Sequence, residues 1–506
     1  MTSRSPVRLA AEQILPLAPL GVRTASDQDL SPAVQLFVER ARRVYPDFRL
    51  TPERLAEVQQ LCERLDSIPL VLELAAARAG VLTPKQMLER LDERLSWLKS
   101  TRRDLPARHR SLYSVLDATY AMLDAPARAL WGCLAVFQGD FSIDAAKALA
   151  PDGDCFSHME TLISMGLLQV AAREEAQRFR MFETLREYAW GMLDPEGRRE
   201  AQVALIRWVV GEARQRAAQQ FTGELGKWLT FWDTEREHLL KALTLAETLE
   251  QPATALELLH HTQRYWILRT LYRHAEDALG RMLTRLSEAE RRCAHLLQAA
   301  WALHTNRPAD AHARALDAIA LAAPSTSEYA WALYYAVHAA VALSDKAFIQ
   351  QWGETAAQYT LDAPDPALQI AARRLVAWYQ PLEMPHYDWI GANVQRAQQL
   401  GDPLWLMLTL LDWIDYCNVN GRYETVLSLC DYLDGLARQL NDSLRLWEVC
   451  TMRGYALIQL GRYPEADAQL EQSLYWARLS GEGVSLSLTL LANLRRLQGD
   501  TTRAFT

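Results

Sequence analysis

Few residues in this sequence have the types and spacing that chemistry requires. The adjacent histidines His260 and His261 could each ligate a metal ion. On a helix, however, neighbouring side chains point about 100° apart, so the two rings could not easily share one ion. The remaining histidines show no ligand spacing, and the seven cysteines are scattered without a C-x-x-C pair. The sequence therefore predicts no metal site.

A cluster of basic residues could bind the phosphates of duplex DNA. Its members are Arg102, Arg103, Arg108, His109 and Arg110. The alternative is a solvated loop that leads into a helix, and the acidic residues of the surrounding segment favour this alternative. The net charge of −8 also argues against a DNA-binding surface that covers the whole molecule.

The sequence lacks the motifs of phosphate binding and of nucleophilic catalysis. It contains no G-x-x-x-x-G-K-[ST] loop, whose amides and lysine would hold nucleotide phosphates, and no G-x-S-x-G or Cys/His signature. No pair of acidic residues is distinguished by its spacing. We therefore predict that this chain is not an enzyme.

The composition indicates a folded protein of several domains. The 506 residues are 50% hydrophobic and 23% charged, and a typical domain of about 150 residues suggests three or four domains. The scattered, odd-numbered cysteines favour a reducing compartment. No stretch reaches the length of a membrane span, and prolines interrupt the first twenty residues, so neither a membrane helix nor a secretory signal is predicted. We expect a cytoplasmic protein.

From residue 31 onward the sequence predicts helices. Three pairs place a hydroxyl at the N-cap and a proline at the first helical position, namely Ser31-Pro32, Thr51-Pro52 and Thr83-Pro84. Gln86 completes a capping box with Thr83. A further helix is predicted from Pro69 to Ala79, before Gly80. Together these elements predict a compact helical domain at 31–104, after a strand and loop at 1–30 that are too short to form a domain.

Residues 105–200 have the pattern of a winged helix. Strand-like segments at 167–170 and 178–181 flank a polar turn, which predicts a β-hairpin. Helices are predicted around the hairpin, at 109–123, 126–137, 142–150, 155–165 and 183–193.

Residues 201–506 show only helical periodicity and predict an α-solenoid with an internal repeat. The segment Gly421-Arg422-Tyr423 recurs 40 residues later as Gly461-Arg462-Tyr463, and Gly499 follows after a further 38 residues. A glycine turn followed by an aromatic residue at this period is typical of tetratricopeptide-like repeats. Such an array presents an extended concave surface.

The aromatic residues of this array allow two interpretations. They could form a binding face, since Trp and Tyr are favoured at interfaces, or they could pack between stacked helices. We expect most of them in the core, with Trp301, Trp331 and Trp413 as examples, and a minority on the concave face.

Several segments resemble the bacterial STAND regulators of the LuxR or antibiotic-regulator type, which are related to NB-ARC ATPases. The resemblance is strong over residues 1–200, weaker over 200–290 and generic beyond. It is carried by SPAVQLFVERAR from Ser31, LCERLDSIPLVLELAAAR from Leu61, RFRMFETLREYA from Arg178, and Trp228-Leu229 followed by EHLLKAL from Glu237.

In that family a P-loop ATPase core precedes the helical domain. The resemblance implies that Arg4 senses the nucleotide phosphates and that Pro69 packs near the adenine. Ser67 replaces the glycine of the family motif G-L-P-L, and Phe182 stands where related plant and animal proteins have a histidine that contacts the nucleotide. Because the phosphate-binding loop is absent from the sequence, we predict that Arg4 and Pro69 pack rather than bind.

Residues 1–30 would thus be a remnant of a nucleotide-binding domain, and we expect this chain to be the carboxyl-terminal remainder of a larger ATPase. No cofactor is predicted for the chain itself, whereas a full-length relative would bind ATP or ADP.

The leading hypothesis is the sensor and hinge part of a STAND-type signalling or transcriptional regulator. Its concave face would bind a partner protein or a small-molecule inducer, and the event would be relayed to an ATPase core outside this chain. The alternatives are a DNA-binding protein that uses the winged helix, which is less favoured, and a stand-alone adaptor built from tetratricopeptide-like repeats. No membrane partner is predicted.

Overall fold

The computed structural model of the protein describes residues 20–21, 30–91, 112–150, 154–171, 177–324, 326–361, 363–379, 386–481 and 483–499. These residues form 26 α-helices and one small sheet, which confirms the predicted fold class dominated by α-helices. The chain divides into two compact units, residues 1–208 and 209–506. The division falls inside α10, which spans Pro195–Arg216.

The described part of the first unit begins with four helices, and three of them start where the hydroxyl-proline pairs predict. The side chains of Ser31 and Thr51 accept hydrogen bonds from amides of the first turns that follow them. Thr83 and Gln86 form the predicted capping box, with two bonds of 3.0 and 3.3 Å. The helices are α1 (Pro32–Val44), α2 (Pro52–Arg64), α3 (Pro69–Ala76) and α4 (Pro84–Leu91).

Helix α3 ends earlier than the sequence pattern predicts. The prediction extended this helix to Ala79, but it ends at Ala76 and the chain continues in turns. The amides of Arg78 and Ala79 bond carbonyls three residues earlier, as in a tightened last turn. A run of small apolar residues cannot indicate this change, because alanine favours the helix throughout.

The rest of the first unit surrounds a three-stranded antiparallel sheet. The predicted hairpin is present, and a third strand that the sequence analysis missed pairs with its second strand in the order β1-β3-β2. Phe141 and Phe179 face each other in this register and lie in the core. The elements are α5 (Leu112–Met122), α6 (Ala125–Leu134), β1 (Asp140–Ser142), α7 (Ile143–Leu149), α8 (Cys155–Ser164), β2 (Gln169–Ala171), β3 (Arg178–Arg180) and α9 (Glu183–Met192).

The second unit is a succession of antiparallel helices. Short 3-10 helices occur at Ala217–Phe221 and Leu283–Arg285. The α-helices are α11 (Leu225–Thr234), α12 (Arg236–Thr248), α13 (Pro252–His261), α14 (Gln263–Leu268), α15 (Tyr272–Met282), α16 (Glu288–His304), α17 (Pro308–Leu321), α18 (Ser327–Ala342), α19 (Lys346–Leu361), α20 (Pro366–Tyr379), α21 (His386–Leu400), α22 (Pro403–Val419), α23 (Tyr423–Leu440), α24 (Ser443–Gln459), α25 (Tyr463–Ser480) and α26 (Val484–Leu497).

One turn recurs between the two helices of successive pairs. A residue with positive φ follows the first helix, and the next amide bonds back to a carbonyl five residues earlier, which is the Schellman arrangement. Gly421 and Gly461 occupy this position with φ of 70° and 72°, as the sequence repeat predicts. The same turn occurs at Asn306 and Ser344, with φ of 53° and 57°. The repeat therefore begins earlier in the chain than its glycines indicate.

Neighbouring helices of the array pack closely where one of them has a small residue. Gly454 on α24 lies against Leu470 on α25, and a Cβ at position 454 would come within 2.6 Å of a Leu470 methyl carbon. The predicted small residue Ala466 is fully buried near the same contact. Among the described residues, no helix is both long and apolar enough to cross a membrane.

Candidate ligand-binding cavity

The second unit contains a partly open cavity of about 1080 Å³. Its walls come mainly from α14, α16, α18, α20, α22 and α24. From α16 onward these are the first helices of successive pairs, so the second helices pack outside them. The cavity is therefore the concave face of the array, and its volume is that of a site for a drug-sized molecule.

Helical periodicity places the lining residues in stripes. On α22 the residues Trp405, Leu408, Asp412 and Asp415 line the cavity, at spacings of three or four residues. Residues with this spacing share one face of a helix. The same stripe thus changes from aromatic and apolar at the start of α22 to acidic towards its end.

Four aromatic rings on α18 and α22 form one wall of the cavity, which we call the aromatic wall. Trp331 stacks on Tyr335 and on Trp405, with centroid distances of 5.6 and 5.9 Å. Tyr334 packs against Trp405 at 6.2 Å. Offset and stacked rings at such distances stabilise one another and present flat apolar faces.

The aromatic wall corrects one expectation from the sequence. Trp301 is fully buried, as expected for core packing, whereas Trp331 is only half-buried and lines the cavity. Trp413 is half-buried, and its ring lies close to Gly391 on the neighbouring α21. A three- to four-residue period identifies the buried side of a helix but does not distinguish a solid core from a cavity wall.

A buried ion pair joins distant parts of the array beside the cavity. The guanidinium of Arg264 on α14 donates two hydrogen bonds of 2.7 Å to the carboxylate of Asp402, and both side chains are at least 94% buried. Asp402 also accepts a hydrogen bond of 3.0 Å from the amide of Leu404 as the N-cap of α22. Arg264 in turn lies 4.5 Å from the Phe221 ring centroid. The array is thus closed by a pair whose residues are 138 positions apart.

A second bidentate pair lies beside the aromatic wall. Arg374 on α20 donates to both carboxylate oxygens of Asp412, at 2.6 and 3.0 Å, and to the hydroxyl of Tyr334 at 3.0 Å. This network links α18, α20 and α22 and fixes the edge of the aromatic wall. Paired and hydrogen-bonded charges of this kind can be buried at tolerable cost.

A third pair joins Arg445 and Glu448 on α24. Arg445 also lies 3.4 Å from Nδ1 of His304. Burial, together with the charges of Arg445 and Arg264, holds the pKa of His304 well below its usual value. The imidazole is therefore neutral near pH 7.

Asp415 differs from the other cavity carboxylates. Its side chain is open to the cavity space, but the surrounding protein limits its hydration. This burial, and then the charges of Asp412 and Glu448, raise the pKa of Asp415 to about 7, against the lowering effect of Arg374. Among the described residues Asp415 forms no ion pair, since Arg374 pairs with Asp412 and Arg445 pairs with Glu448.

The adjacent histidines singled out in the sequence lie at the end of α13. Their ring centroids are 5.4 Å apart, and Nδ1 of His260 lies 3.6 Å from Sγ of Cys293. Burial raises the pKa of the Cys293 thiol to about 11, so this sulfur is neither a thiolate nucleophile nor a ready metal ligand at neutral pH. Within the described part of the chain, no three His, Cys, Asp or Glu side chains converge on a possible metal position.

The site residues implied by the family resemblance lie in the first unit. Arg4 is outside the described residues, as are residues 102–110 with the basic cluster. Pro69 is exposed as the first residue of α3. Ser67 has φ of 51°, the conformation that a glycine adopts most easily, and its hydroxyl donates to the carbonyl of Cys62 at 3.1 Å. Phe182 is the N-cap of α9 and offers no side-chain hydrogen bond.

Asp66 supplies the cap that Phe182 lacks. Its carboxylate accepts hydrogen bonds from the amide and the hydroxyl of Thr184, at 3.0 and 3.1 Å. The residue belongs to the turn between α2 and α3 and thus ties the first helices of the unit to α9. No local pattern in the sequence indicates this contact, because the two residues are 118 positions apart.

The two arginines of strand β3 differ in their exposure. Arg178 is buried and donates to the carbonyl of Asp140, and Arg180 lies 3.5 Å from the carboxylate of the same residue. The Arg180 side chain is exposed, so its charge remains accessible to solvent.

The cavity was not predicted as a site from the sequence, although the sequence of α22 contains an indication of it. This helix is strongly apolar but contains Asp412 and Asp415 in its second half. Acidic residues within an apolar helix are rarely buried without a purpose or a partner. The partner of Asp412 is Arg374 on α20, so only the tertiary structure identifies it.

Comparisons with known proteins connect the chain to a few relatives. No family model matches it. An uncharacterised protein of Mycobacterium tuberculosis is 31% identical over 212 residues, which are 41% of this chain and 52% of the relative. A second protein of this organism, provisionally named as an HTH-type transcriptional regulator, is 30% identical over 266 residues, which are 49% of this chain and 29% of the relative. Both relatives also occur in Mycobacterium bovis.

These matches cover about half the length of the first relative and less than a third of the second. Among solved structures, the chain is similar to a STAND protein with a tetratricopeptide repeat sensor from Pyrococcus horikoshii. The sequence identity is 14% and the TM-score is 0.46, over 93% of this chain and 70% of that one.

Proposed function

We propose that this protein is the sensor part of a signalling or transcriptional regulator and that it binds a small-molecule inducer inside its helical array. The observation that carries the proposal is the cavity of about 1080 Å³, lined by alternate helices and walled by four aromatic rings. The match to a relative provisionally named as an HTH-type transcriptional regulator supports the regulatory role.

The proposed role is binding rather than catalysis. The cavity's arginines are held in ion pairs with neighbouring carboxylates, and its histidines His304 and His338 have pKa values well below the usual one. Groups in this state orient and recognise a ligand but are poorly suited to proton transfer at neutral pH. As a sensor, the array would be stabilised in its closed form by an occupant that contacts several helices, and this change would be relayed to an ATPase core.

A ligand screen by thermal denaturation tests the proposal. A ligand that binds only the folded protein raises its melting temperature, by several degrees at concentrations far above Kd. The variant L408W would place a large side chain in the cavity, since Leu408 is half-buried and lines it. The matched control is L316W, because Leu316 lies exposed on the outer helix α17.

We expect at least one metabolite to stabilise the wild type and L316W but not L408W. A hit that stabilises all three proteins equally would place its binding outside the cavity. A screen in which no compound separates L408W from the other two would contradict the proposal.

A further inference from the structure

The charges of the cavity do not balance. Among the described residues, six carboxylates and four guanidinium groups line it. Each arginine has its own acidic partner: Arg264 with Asp402, Arg292 with Glu328, Arg374 with Asp412, and Arg445 with Glu448. Two carboxylates, those of Asp365 and Asp415, therefore remain.

One of the two has a local partner. Asp365 precedes α20, and its carboxylate accepts a hydrogen bond of 2.9 Å from the amide of Ala367. The N-terminus of a helix carries partial positive charge, which stabilises an acid there. Asp415 has the opposite position, in the last turns of α22, where partial negative charge disfavours a carboxylate.

No neutralising cation is available from the cavity histidines. Burial and neighbouring arginines hold the pKa values of His304 and His338 well below the usual value, and burial together with His261 lowers that of His260. The groups that face Asp415 are Asp412 on its own helix, Glu448 from α24 and Arg374 from α20. The two acids repel the negative charge of Asp415, and Arg374 already forms an ion pair with Asp412.

The distance along α22 sets the length of a matching ligand. Asp415 follows Trp405 by ten residues on the same stripe, which corresponds to about 15 Å along a helix. Leu408 and Leu411 line the cavity between them. A ligand that reaches from the aromatic wall to Asp415 would thus lie on apolar side chains for most of its length.

We propose that the cavity binds an elongated amphiphile with an apolar or aromatic body and a protonated amine, the body on Trp331 and Trp405 and the amine at Asp415. The inference rests on the proposed function and specifies the chemical class of its ligand. The ammonium neutralises the Asp415 carboxylate, with which no described residue forms an ion pair, and a charge-assisted hydrogen bond holds it there. The aromatic rings bind the body through their apolar faces.

A fluorescent probe series tests this assignment on the full chain. Dansylcadaverine carries an aromatic body, a flexible chain and a terminal primary amine. N-acetyl-dansylcadaverine has the same body without the charge, and 6-(dansylamino)hexanoic acid ends in a carboxylate. Titrations at pH 8 keep the amine protonated and Asp415 ionised, given its pKa of about 7.

Three variants distinguish the contribution of the Asp415 charge from that of the aromatic wall. D415N removes the carboxylate charge at nearly constant shape. Its matched control is D277N, because Asp277 is exposed on α15 and does not line the cavity. A third variant, W331L, alters the aromatic wall without changing any charge.

We expect dansylcadaverine to bind the wild type and D277N at least about tenfold more tightly than the acetylated probe, and the acid to bind most weakly. In D415N the affinity for dansylcadaverine falls to that of the acetylated probe, whose own affinity is unchanged. W331L weakens the binding of the cationic and the acetylated probe alike.

Two results would overturn the assignment. If the charged and acetylated probes bind the wild type equally and W331L weakens both, the cavity binds small molecules but does not select amines, and the proposed function survives. If no probe binds saturably, the assignment of an amphiphilic amine is wrong, and the metabolite screen with L408W then decides the proposed function by itself.

Discussion

At the scale of single residues, the side chain of Asp415 is suited to ligand recognition but lowers the stability of the folded protein. A carboxyl group whose pKa is raised in the folded state keeps its proton where the unfolded chain has already lost it. The free energy of unfolding therefore falls as the pH rises from about 4, the unfolded value, to about 7, the folded value of Asp415. A protein that retains such a group without a partner gives up stability at neutral pH, which is common at functional sites.

The variant D415N tests this cost in the absence of ligand. We expect its melting temperature to exceed that of the wild type by about 2 °C or more at pH 8, because the poorly hydrated charge is gone. The difference should disappear near pH 4, where the wild-type side chain is protonated as well. Differential scanning calorimetry between pH 4 and pH 8 measures both values, and D277N should follow the wild type throughout. A gain that does not change with pH would contradict the raised pKa.

The ligand affinity should depend on pH through the same group. As the pH falls from 8 to 6, Asp415 becomes protonated and loses its attraction for an ammonium, so the Kd of dansylcadaverine is expected to rise about tenfold. The acetylated probe provides the comparison, since its Kd should stay constant over this range. Equal pH dependence of the two probes would point to a group other than Asp415.

At the scale of elements, helix ends in the first unit depend on contacts that are distant in sequence. Helix α9 is preceded by Phe182, whose side chain cannot cap it, and the carboxylate of Asp66 accepts the hydrogen bond from the amide of Thr184 instead. Asp66 has φ of 53°, a conformation that Asn and Gly also adopt readily. Substitutions to these two residues therefore test the cap without adding backbone strain.

We expect D66G to weaken α9 and D66N to leave it nearly intact. Loss of an N-cap acceptor costs about 1 kcal/mol, whereas asparagine still offers an oxygen to the amide of Thr184. Hydrogen-exchange mass spectrometry of peptides that cover Glu183–Met192 would show faster exchange in D66G than in D66N. Equal exchange in both variants would show that the contact does not stabilise the helix.

Two glycines on the neighbouring helices α24 and α23 should respond oppositely to substitution by alanine. A Cβ at Gly454 would meet Leu470, which is fully buried, so we expect G454A to lower the free energy of unfolding by about 1–3 kcal/mol. Gly435 is exposed on α23 with open space around it, and G435A should raise stability by up to about 1 kcal/mol. Urea denaturation monitored by circular dichroism compares the two, and a shift of the same sign in both would contradict the packing argument.

At the scale of the whole second unit, the pair Arg264–Asp402 closes the array around the cavity. Removing one partner of a buried ion pair leaves a charge without compensation and typically costs about 3–5 kcal/mol. Removing both partners costs much less. The variant D402N is well suited to this test, because asparagine keeps the N-cap function at the start of α22.

We expect R264M and D402N each to lower the stability of the second unit strongly, and the double variant to recover much of the loss. The coupling energy from a double-mutant cycle in urea denaturation measures this interaction. Losses that simply add in the double variant would show that the two charges do not stabilise each other. Ligand titrations on the double variant then report whether closure is needed for binding.

Part of this architecture follows from the sequence alone. The hydroxyl-proline pairs determine where α1, α2 and α4 begin, because an N-cap is a local interaction between residues three positions apart. Gly421 and Gly461 indicate the helix turns for the same reason. Asn306 and Ser344 form the same turn without a glycine, so the pattern that glycine provides is missing there although the backbone conformation is the same.

Only the tertiary structure decided which helix faces form the cavity. The period of three to four residues shows that Trp331, Trp405 and Asp415 lie on the inner sides of their helices, but not whether another side chain fills the space in front of them. Arg374 on α20 and Arg445 on α24 pair with other carboxylates, so neither neutralises Asp415. The pair that closes the array joins residues 138 positions apart. Local propensities cannot encode such contacts, because they depend on how the helices stack and curve.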